Sequence, residues 1–325
     1  MTAHLIAIAP MMDWTDRHYR VLMRCLTQRT LLYTEMVHAN AMIHGQIETN
    51  QPKHAEESPV ALQLGGSEPE SLSRAARLGE ALGFDEINLN VGCPSPRVQS
   101  GSFGACLMKE PPLVAECVTA MQSAVTIPVT VKCRIGVDDV DRYDDLVNFI
   151  ETVSRTGCDH FIIHARKALL KGLSPKENRT VPPLHYDRVY QLKQDFPELA
   201  ITINGGVTDH AAIESHLTQV DGVMLGRVAY HQPYLLAEVD QRYYGSSDPI
   251  SSREQMIRDY YPYIEAQLSK GVNLYAMTRH MLHIYHGQPK ARHWRRILTE
   301  QARERHAGIE VIERALQSVK VDGLA

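Results

Sequence analysis

The sequence holds six cysteines, yet no two are spaced as Cys-X-X-Cys, and none stands with histidines at the spacing of a zinc site. A structural metal is therefore not expected. Nor is a disulfide framework, because the thiols are scattered through a mid-sized chain without a legible secretory leader. The opening "MTAHLIAIAPMM" is cut by Pro10 before a signal-length apolar segment can form, so a cytoplasmic protein is expected. No uninterrupted apolar run approaches the ~18 residues of a membrane span, and no membrane partner is expected. A strong basic excess is also missing. The formal net charge of -4 argues against wholesale coating of nucleic acid, and no DNA partner is expected.

What is present is an ordinary globular composition, 44% hydrophobic and 22% charged. A chain of 325 residues outgrows a single core, which stops growing near ~250–300 residues. The charge is uneven. Residues 245–325 carry 12 Lys and Arg against 9 Asp and Glu, while the remainder carries 22 against 29. Within 279–296 there are five Lys or Arg, four His and no acid. A basic patch on an acidic body suits a site for one nucleic acid, although charge alone fits a solvated helix face as well.

Short apolar runs recur through the first 230 positions: LIAIAP (5–10), LLYTEM (31–36), VALQLGG (60–66), EINLNVG (86–92), PVTVKCRIG (128–136), HFIIHAR (160–166), AITINGG (200–206) and GVMLGR (222–227). Most are continuous rather than alternating, as in parallel strands buried on both faces. Helix-period patterns lie between them, at 70–82, 112–124, 146–156, 186–196 and 209–217. Eight strands alternating with helices predict a (β/α)8 TIM barrel over 1–244. A doubly wound sheet would want a glycine-rich phosphate loop after its first strand, and "APMMD" offers none. GSSDPISS then reads as a linker to an all-helical domain, 245–325. There Arg292, Arg295, Arg296 and Arg303 recur at helical spacing, with Trp294, Ile297 and Leu298 turned elsewhere.

Barrel active sites lie at the C-terminal strand ends. Those ends carry Gln63, Asn88, Asn90, Lys132, Arg134, His164, Arg166, Asn204 and Arg227. One such residue is easily satisfied inside a barrel. Six strands contributing them predict a cavity for a polar ligand, since each unpartnered polar group costs ~1–3 kcal/mol. Asn204-Gly205-Gly206 and Gly226-Arg227 close the seventh and eighth strands, where such barrels often bind phosphate through unobstructed backbone N–H groups. Lys132 has three open readings: a solvated rim charge, a Schiff-base nucleophile, or a cation set against an electron-rich cofactor ring. A free cysteine is most often an inert small hydrophobe, which is the reading for Cys25, Cys106, Cys117, Cys133 and Cys158. Cys93 differs by position, on a Gly-Cys-Pro corner at the strand-end face beside Asn90. An unperturbed thiol, with pKa near ~8.5, is mostly protonated at neutral pH and can serve as an acid.

"APMMDWTDRHYR" (9–20), "QLGG" (63–66), "NLNVGCPSPRVQSGSFGACLM" (88–108), "VKCRIGVDD" (131–139), "IHARKALLKGLSPKENRTVPPL" (163–184), "INGG" (203–206) and "GVMLGR" (222–227) resemble the tRNA-dihydrouridine synthases, A-type bacterial subgroup. The resemblance covers nearly the whole chain. It implies an FMN-binding barrel with a helical C-terminal domain, which reduces the 5,6 double bond of D-loop uridines around positions 20 and 20a of tRNA, with NADPH as reductant. By motif match it implies that Pro10, Met11 and Met12 line the flavin, and that Gln63 and Lys132 hold its pyrimidine edge. It also implies that His164 helps fix the cofactor and that Asn204, Gly205, Gly206, Gly226 and Arg227 take its phosphate. Cys93 matches the family's proton donor. Asn90, Lys176, Arg179, Arg292 and Arg295 match positions that touch tRNA in the D-loop and elbow region. A monomer is expected.

Three rivals compete. A small-molecule FMN barrel of the dihydroorotate dehydrogenase type leaves the basic C-terminal domain without a role. A Schiff-base aldolase would use Lys132. A non-catalytic RNA-binding protein would keep only the scaffold.

Overall fold

Each of the eight apolar runs yields a strand. The computed structural model describes residues 4–45, 57–247 and 252–320. The strands among them are β1 (Ile6–Ile8), β2 (Leu32–Tyr33), β3 (Val37–His38), β4 (Val60–Gly65), β5 (Glu86–Val91), β6 (Val129–Arg134), β7 (His160–His164), β8 (Ala200–Asn204) and β9 (Gly222–Leu225). Every pairing is parallel, in the order β1-β9-β8-β7-β6-β5-β4-β2, with β3 also beside β4. The ring closes where Leu31, just before β2, bridges Ala7 of β1. There the Ile8 amide donates to the Leu31 carbonyl at 2.9 Å. This is the expected (β/α)8 barrel. β3 is an addition, because the LLYTEM run breaks after Tyr33 and pairs again at Val37–His38.

Burial on both faces accounts for the continuous apolar runs: all six residues of β4 and of β5 are buried. Helices cover the outside, at Pro69–Ala81, Pro111–Gln122, Tyr143–Ser154, Tyr186–Asp195 and His210–Leu217. The first two begin one residue before their apolar pattern because each has a proline in its opening turn, where a missing N–H costs nothing. Inward-facing residues then fall beside one another across strands: Gln63 beside Asn88, Asn88 beside Thr130, Asn90 beside Lys132, Arg134 beside His164, and His164 beside Asn204. Ala7, Ala9, Leu31, Tyr33, Ala61, Ile162 and Met224 form a separate apolar cluster.

The chain divides into two compact units. The first is 1–13 with 30–226 and contains the barrel; the second is 14–29 with 227–325. The break expected at Tyr244 falls inside the second unit, and part of the expected linker, 248–251, lies outside the described residues. Side-chain chemistry ties 14–29 to the helical unit. Asp16 caps the helix Arg17–Arg24 by accepting from the Tyr19 amide at 3.0 Å, and it pairs with Arg279 and His280. Tyr19 donates to the Ala229 carbonyl at 3.0 Å, and Tyr260 to the His18 carbonyl at 2.8 Å. Apart from that cap, the partners lie more than 200 positions apart, which is why the pattern along the chain did not reveal them. The helix Ala291–Gln301 buries Trp294 and Leu298, and the indole donates to the Met281 carbonyl at 2.9 Å. No helix among the described residues is long and apolar enough to cross a membrane.

Candidate active site

Cys93 follows β5 on the loop at the C-terminal end of the barrel. Its backbone is held from both sides. The amide donates to Asn90 Oδ1 at 3.0 Å, and the carbonyl accepts from the Ala105 amide at 2.9 Å. The second contact depends on Gly104, which has φ +76° and where a Cβ would lie 2.6 Å from the Cys93 carbonyl oxygen. The returning 104–109 turn can therefore press against the cysteine. The thiol is half-buried. Burial pushes its pKa up, while Arg134, Arg179 and Lys132 near by pull it back. Cys106 is also half-buried, but its thiol donates to the Phe103 carbonyl at 3.1 Å within its own turn.

Lys132 projects from β6 and donates to Asn204 Oδ1 at 3.2 Å. Loss of water around the ammonium, followed by the charge of Arg134, pushes its pKa down to about 8. The hydrogen bond to Asn204 inside the barrel sets it apart from a freely solvated rim charge. Asn204 is committed twice, since its Nδ2 donates to the Met224 carbonyl at 2.8 Å. His164 Nδ1 is buried and has no hydrogen-bond partner among the described residues. Burial first, then Arg134, Lys132, Arg166 and Arg179, push the imidazole well below its ordinary pKa, so the ring is neutral.

Arg134 was in the strand-end set but had no assigned role. The structure makes it a brace. Its Nε donates to the Gly92 carbonyl at 2.9 Å, and its Nη1 donates to the carbonyls of Lys167 and Asn178 at 3.0 Å each. It thus joins the Cys93 loop to the 167–179 loop that carries Lys176 and Arg179. Asn178, fully buried, folds that loop by exchanging bonds with the Leu169 backbone at 2.8 and 2.9 Å. Lys176 and Arg179 stand exposed around it.

Gln63 and Asn90, expected to face cofactor and substrate, are each other's partners: Asn90 Nδ2 donates to Gln63 Oε1 at 2.8 Å. The reason is register, because β4 and β5 bring Gln63 beside Asn88 with Asn90 next along the same face. Pro10, Met11 and Met12 follow β1 after Ala9, with Met12 59% exposed. Gly205 and Gly206 turn with φ +113° and +75°, and a Cβ on Gly206 would lie 2.5 Å from Tyr186 Oη. Around Gly226 a Cβ would meet nothing within 4 Å. Arg227 opens the helix Arg227–His231 and belongs to the second unit.

In the second unit Arg292 and Arg296 are exposed and Arg295 is half-exposed on the helix Ala291–Gln301. His283 lies close to His231, Arg295 and His286, and burial together with those neighbours pushes its pKa down to about 4. Arg303 departs from the expected face. The helix ends at Gln301, and the Arg303 guanidinium lies over the Tyr275 ring, 4.1 Å from its centre.

The barrel site therefore has two cations, Lys132 and Arg134, neither ion-paired among the described residues, and an imidazole whose buried Nδ1 has no hydrogen-bond partner among them. It also has an open glycine turn. A flat, acceptor-rich ligand carrying a phosphate would suit each of these groups, and FMN is such a ligand. Among the described residues no group of His, Cys, Asp and Glu could hold a metal ion.

Comparison with known proteins identifies the family. The family model described as "Dihydrouridine synthase (Dus)" matches residues 7–320. The chain is 55% identical to a tRNA-dihydrouridine(20/20a) synthase of Synechocystis sp., over 98% of this chain and 96% of that one. It is 57% identical to the protein of the same name from Shewanella oneidensis, over 98% and 95%. Against that of Escherichia coli strain K12 it is 57% identical, over 96% and 91%. Among solved structures, a 2-naphthoyl-CoA reductase complexed with 2-naphthoyl-CoA shares the fold, with TM-score 0.54 and 10% identity, covering 73% of this chain and 50% of that one. On the family match and on identity over nearly its whole length, the chain belongs to the dihydrouridine synthase family.

Proposed function

We propose that the protein reduces the 5,6 double bond of uridines around positions 20 and 20a in the tRNA D-loop, yielding dihydrouridine. The observation that carries this reading is a half-buried thiol held up in pKa at the strand-end face, with Lys132, Arg134 and Arg179 near it. A thiol kept protonated at neutral pH is a ready acid, and Cys93 donates its proton to C5 of the uracil ring. FMN, when bound, supplies the hydride for C6, with NADPH as the reductant.

The remaining roles belong to the chain's own side chains. Lys132 places positive charge against the cofactor's electron-rich edge, and His164, neutral and with Nδ1 free to pair, orients it. Backbone N–H groups of Gly205, Gly206 and Gly226 cradle the phosphate, while Asn204 steadies Lys132. Pro10 to Met12 line the ring, and Gln63 reaches it with the hydrogen-bonding capacity left after Asn88 and Asn90. The target base leaves its stack to enter the barrel mouth, at a cost of about a few kcal/mol that is lowest for an unpaired loop base. Asn90, Lys176 and Arg179 meet the nucleotide there. Arg292 and Arg295 grip tRNA phosphates, which set register without reading sequence. The protein works as a cytoplasmic monomer on this reading.

The test is direct. Purified protein supplied with FMN, NADPH and unmodified tRNA should add a mass of two hydrogens at positions 20 and 20a and at no other uridine. Conversion of a free uracil compound with no change in tRNA would return the site to the small-molecule flavin barrels.

A further inference from the structure

Beneath Cys93 a line of side chains runs down the inner face of the barrel to its floor. The amides of Gly92 and Cys93 donate to Asn90 Oδ1 at 3.1 and 3.0 Å. Asn90 Nδ2 donates to Gln63 Oε1 at 2.8 Å, and Gln63 Nε2 to Asn88 Oδ1 at 2.9 Å. Asn88 Nδ2 donates to Thr130 Oγ1 at 2.8 Å, and Thr130 donates to Glu86 Oε1 at 2.6 Å. Tyr33 donates to the same carboxylate oxygen at 2.8 Å.

Every bond points the same way. Two backbone amides fix the top, because they can only donate, and at the bottom Glu86 Oε1 accepts from both Thr130 and Tyr33. Having given its one proton to Glu86, Thr130 must accept from Asn88. Each amide above is then forced into one of its two flips, ending with the oxygen of Asn90 turned toward the Cys93 loop. Gln63, Asn88 and Thr130 are essentially closed to solvent, so no water competes for the rungs.

Glu86 is only 6% exposed and has no cationic partner among the described residues. Burial pushes its carboxyl up to about 7, with the Thr130 and Tyr33 bonds pulling it back and Asp85 adding to the rise. An apolar residue of similar size would hold a barrel floor more cheaply. Glu86 makes sense if its task is the direction of the ladder.

We propose that Glu86 is a positioning residue for the catalytic loop: as terminal acceptor it sets the polarity of the Thr130–Asn88–Gln63–Asn90 ladder and through it the placement of Cys93. The catalytic consequence rests on Cys93 being the proton donor; the positioning itself does not. The experiment labels full-length protein with iodoacetamide and follows Cys93, Cys117 and Cys133 by peptide mass spectrometry, alongside kcat for dihydrouridine formation. Glu86→Gln keeps a neutral acceptor, Glu86→Met removes it, and Thr130→Val cuts the ladder while leaving the carboxyl.

Cys93 labelling should quicken in the order wild type, Glu86→Gln, Glu86→Met, by about threefold to tenfold at the end of the series, the worth of one ordinary rung. Thr130→Val should match Glu86→Met, kcat should fall in the same order, and the buried Cys117 and Cys133 should stay unlabelled. Unchanged Cys93 labelling and kcat in Thr130→Val would overturn the proposal, and that variant decides alone if Glu86→Met does not fold. Equal quickening at Cys117 and Cys133 would overturn it as well, by reducing Glu86 to a stability residue. Should Cys93→Ala retain turnover, the assigned chemistry falls, while the labelling order still decides on Glu86.

Discussion

From β4 round to β8 the inner face of the barrel presents Gln63, Asn88, Asn90, Thr130, Lys132, Arg134, His164 and Asn204. From β9 through β1 toward β2 it presents Met224, Ala7, Ala9 and Leu31; Tyr33 joins this apolar wall, and Ala61 of β4 and Ile162 of β7 extend it on the N-terminal side of Gln63 and His164. Both walls are largely buried, but they are specified differently. On the polar wall each group has one or two admissible partners, and a missing partner costs about 1–3 kcal/mol, so angles and flips are determined. On the apolar wall volume is what matters, and several shapes fill it nearly as well. The polar wall is therefore where a reaction can be aimed, and the apolar wall is where stability is stored. If that division is real, substitutions on the two walls should separate chemistry from folding.

The largest effect expected is at Cys93. Cys93→Ala should bind FMN normally, as its yellow absorbance would report, while dihydrouridine formation falls about 10²–10⁴-fold, the usual contribution of a general acid. Cys106→Ala should remain close to wild type, because that thiol is turned into its own turn. Equal losses at the two positions would erase the distinction between them.

The floor of the polar wall supplies the next contrast. The native Glu86 carboxyl holds its proton to about pH 7, whereas an ordinary glutamate loses it near 4.5. Neutral Glu86 therefore contributes stability that is complete below 4.5 and is lost as pH rises through about 7. Integrated over that window the loss is about 3 kcal/mol. The groups acting on it are Asp85, Tyr33, Thr130 and the Cys158 thiol. Urea melts of wild type should weaken between those pH values, and Glu86→Gln should remove most of the slope. Parallel profiles would mean that Glu86 does not carry it. Together with the labelling series, this places function and stability in opposition at one residue.

In the apolar cluster the expected pattern reverses. Ala61 is fully buried in the apolar cluster, so Ala61→Val should destabilise by about 1–3 kcal/mol through overpacking, read as a lower Tm, while kcat holds. A variant that kept its Tm but lost turnover would place Ala61 with the polar wall and break the division.

The same division explains what the sequence could disclose. Strands, their order and the polar strand ends are legible, because burial on both faces leaves continuous apolar runs and polar residues stand out against them. The resemblance in "GCPSP" and "KGLSPKENR" carried Cys93, Lys176 and Arg179. The ladder was not legible. Its lower members, Glu86 and Thr130, sit at the opposite end of the strands from the motifs, and only cross-strand register places Thr130 beside Asn88. Arg134 was visible as a strand-end cation, but its role depends on three carbonyls far apart in sequence. Residues 14–29 joined the helical unit through Asp16, Tyr19 and His18, whose partners lie more than 200 positions away.

The smallest effect expected lies on the helical unit, where geometry is loosest. Arg292 is exposed, on a helix anchored by Trp294 and Leu298 on its buried side. Nothing among the described residues fixes its guanidinium, so on the proposed function its contribution to tRNA binding is that of one released counterion rather than a shaped contact. Arg292→Ala should weaken binding uniformly across tRNA sequences and lower the log–log salt slope by about one. Arg295 is half-exposed beside His283, with less freedom to follow a phosphate. Arg295→Ala should therefore lose more affinity than Arg292→Ala at equal change of slope. If instead Arg292→Ala left the slope untouched, the helix would be an ordinary solvated face, and recognition of tRNA would rest with Lys176 and Arg179 at the barrel mouth.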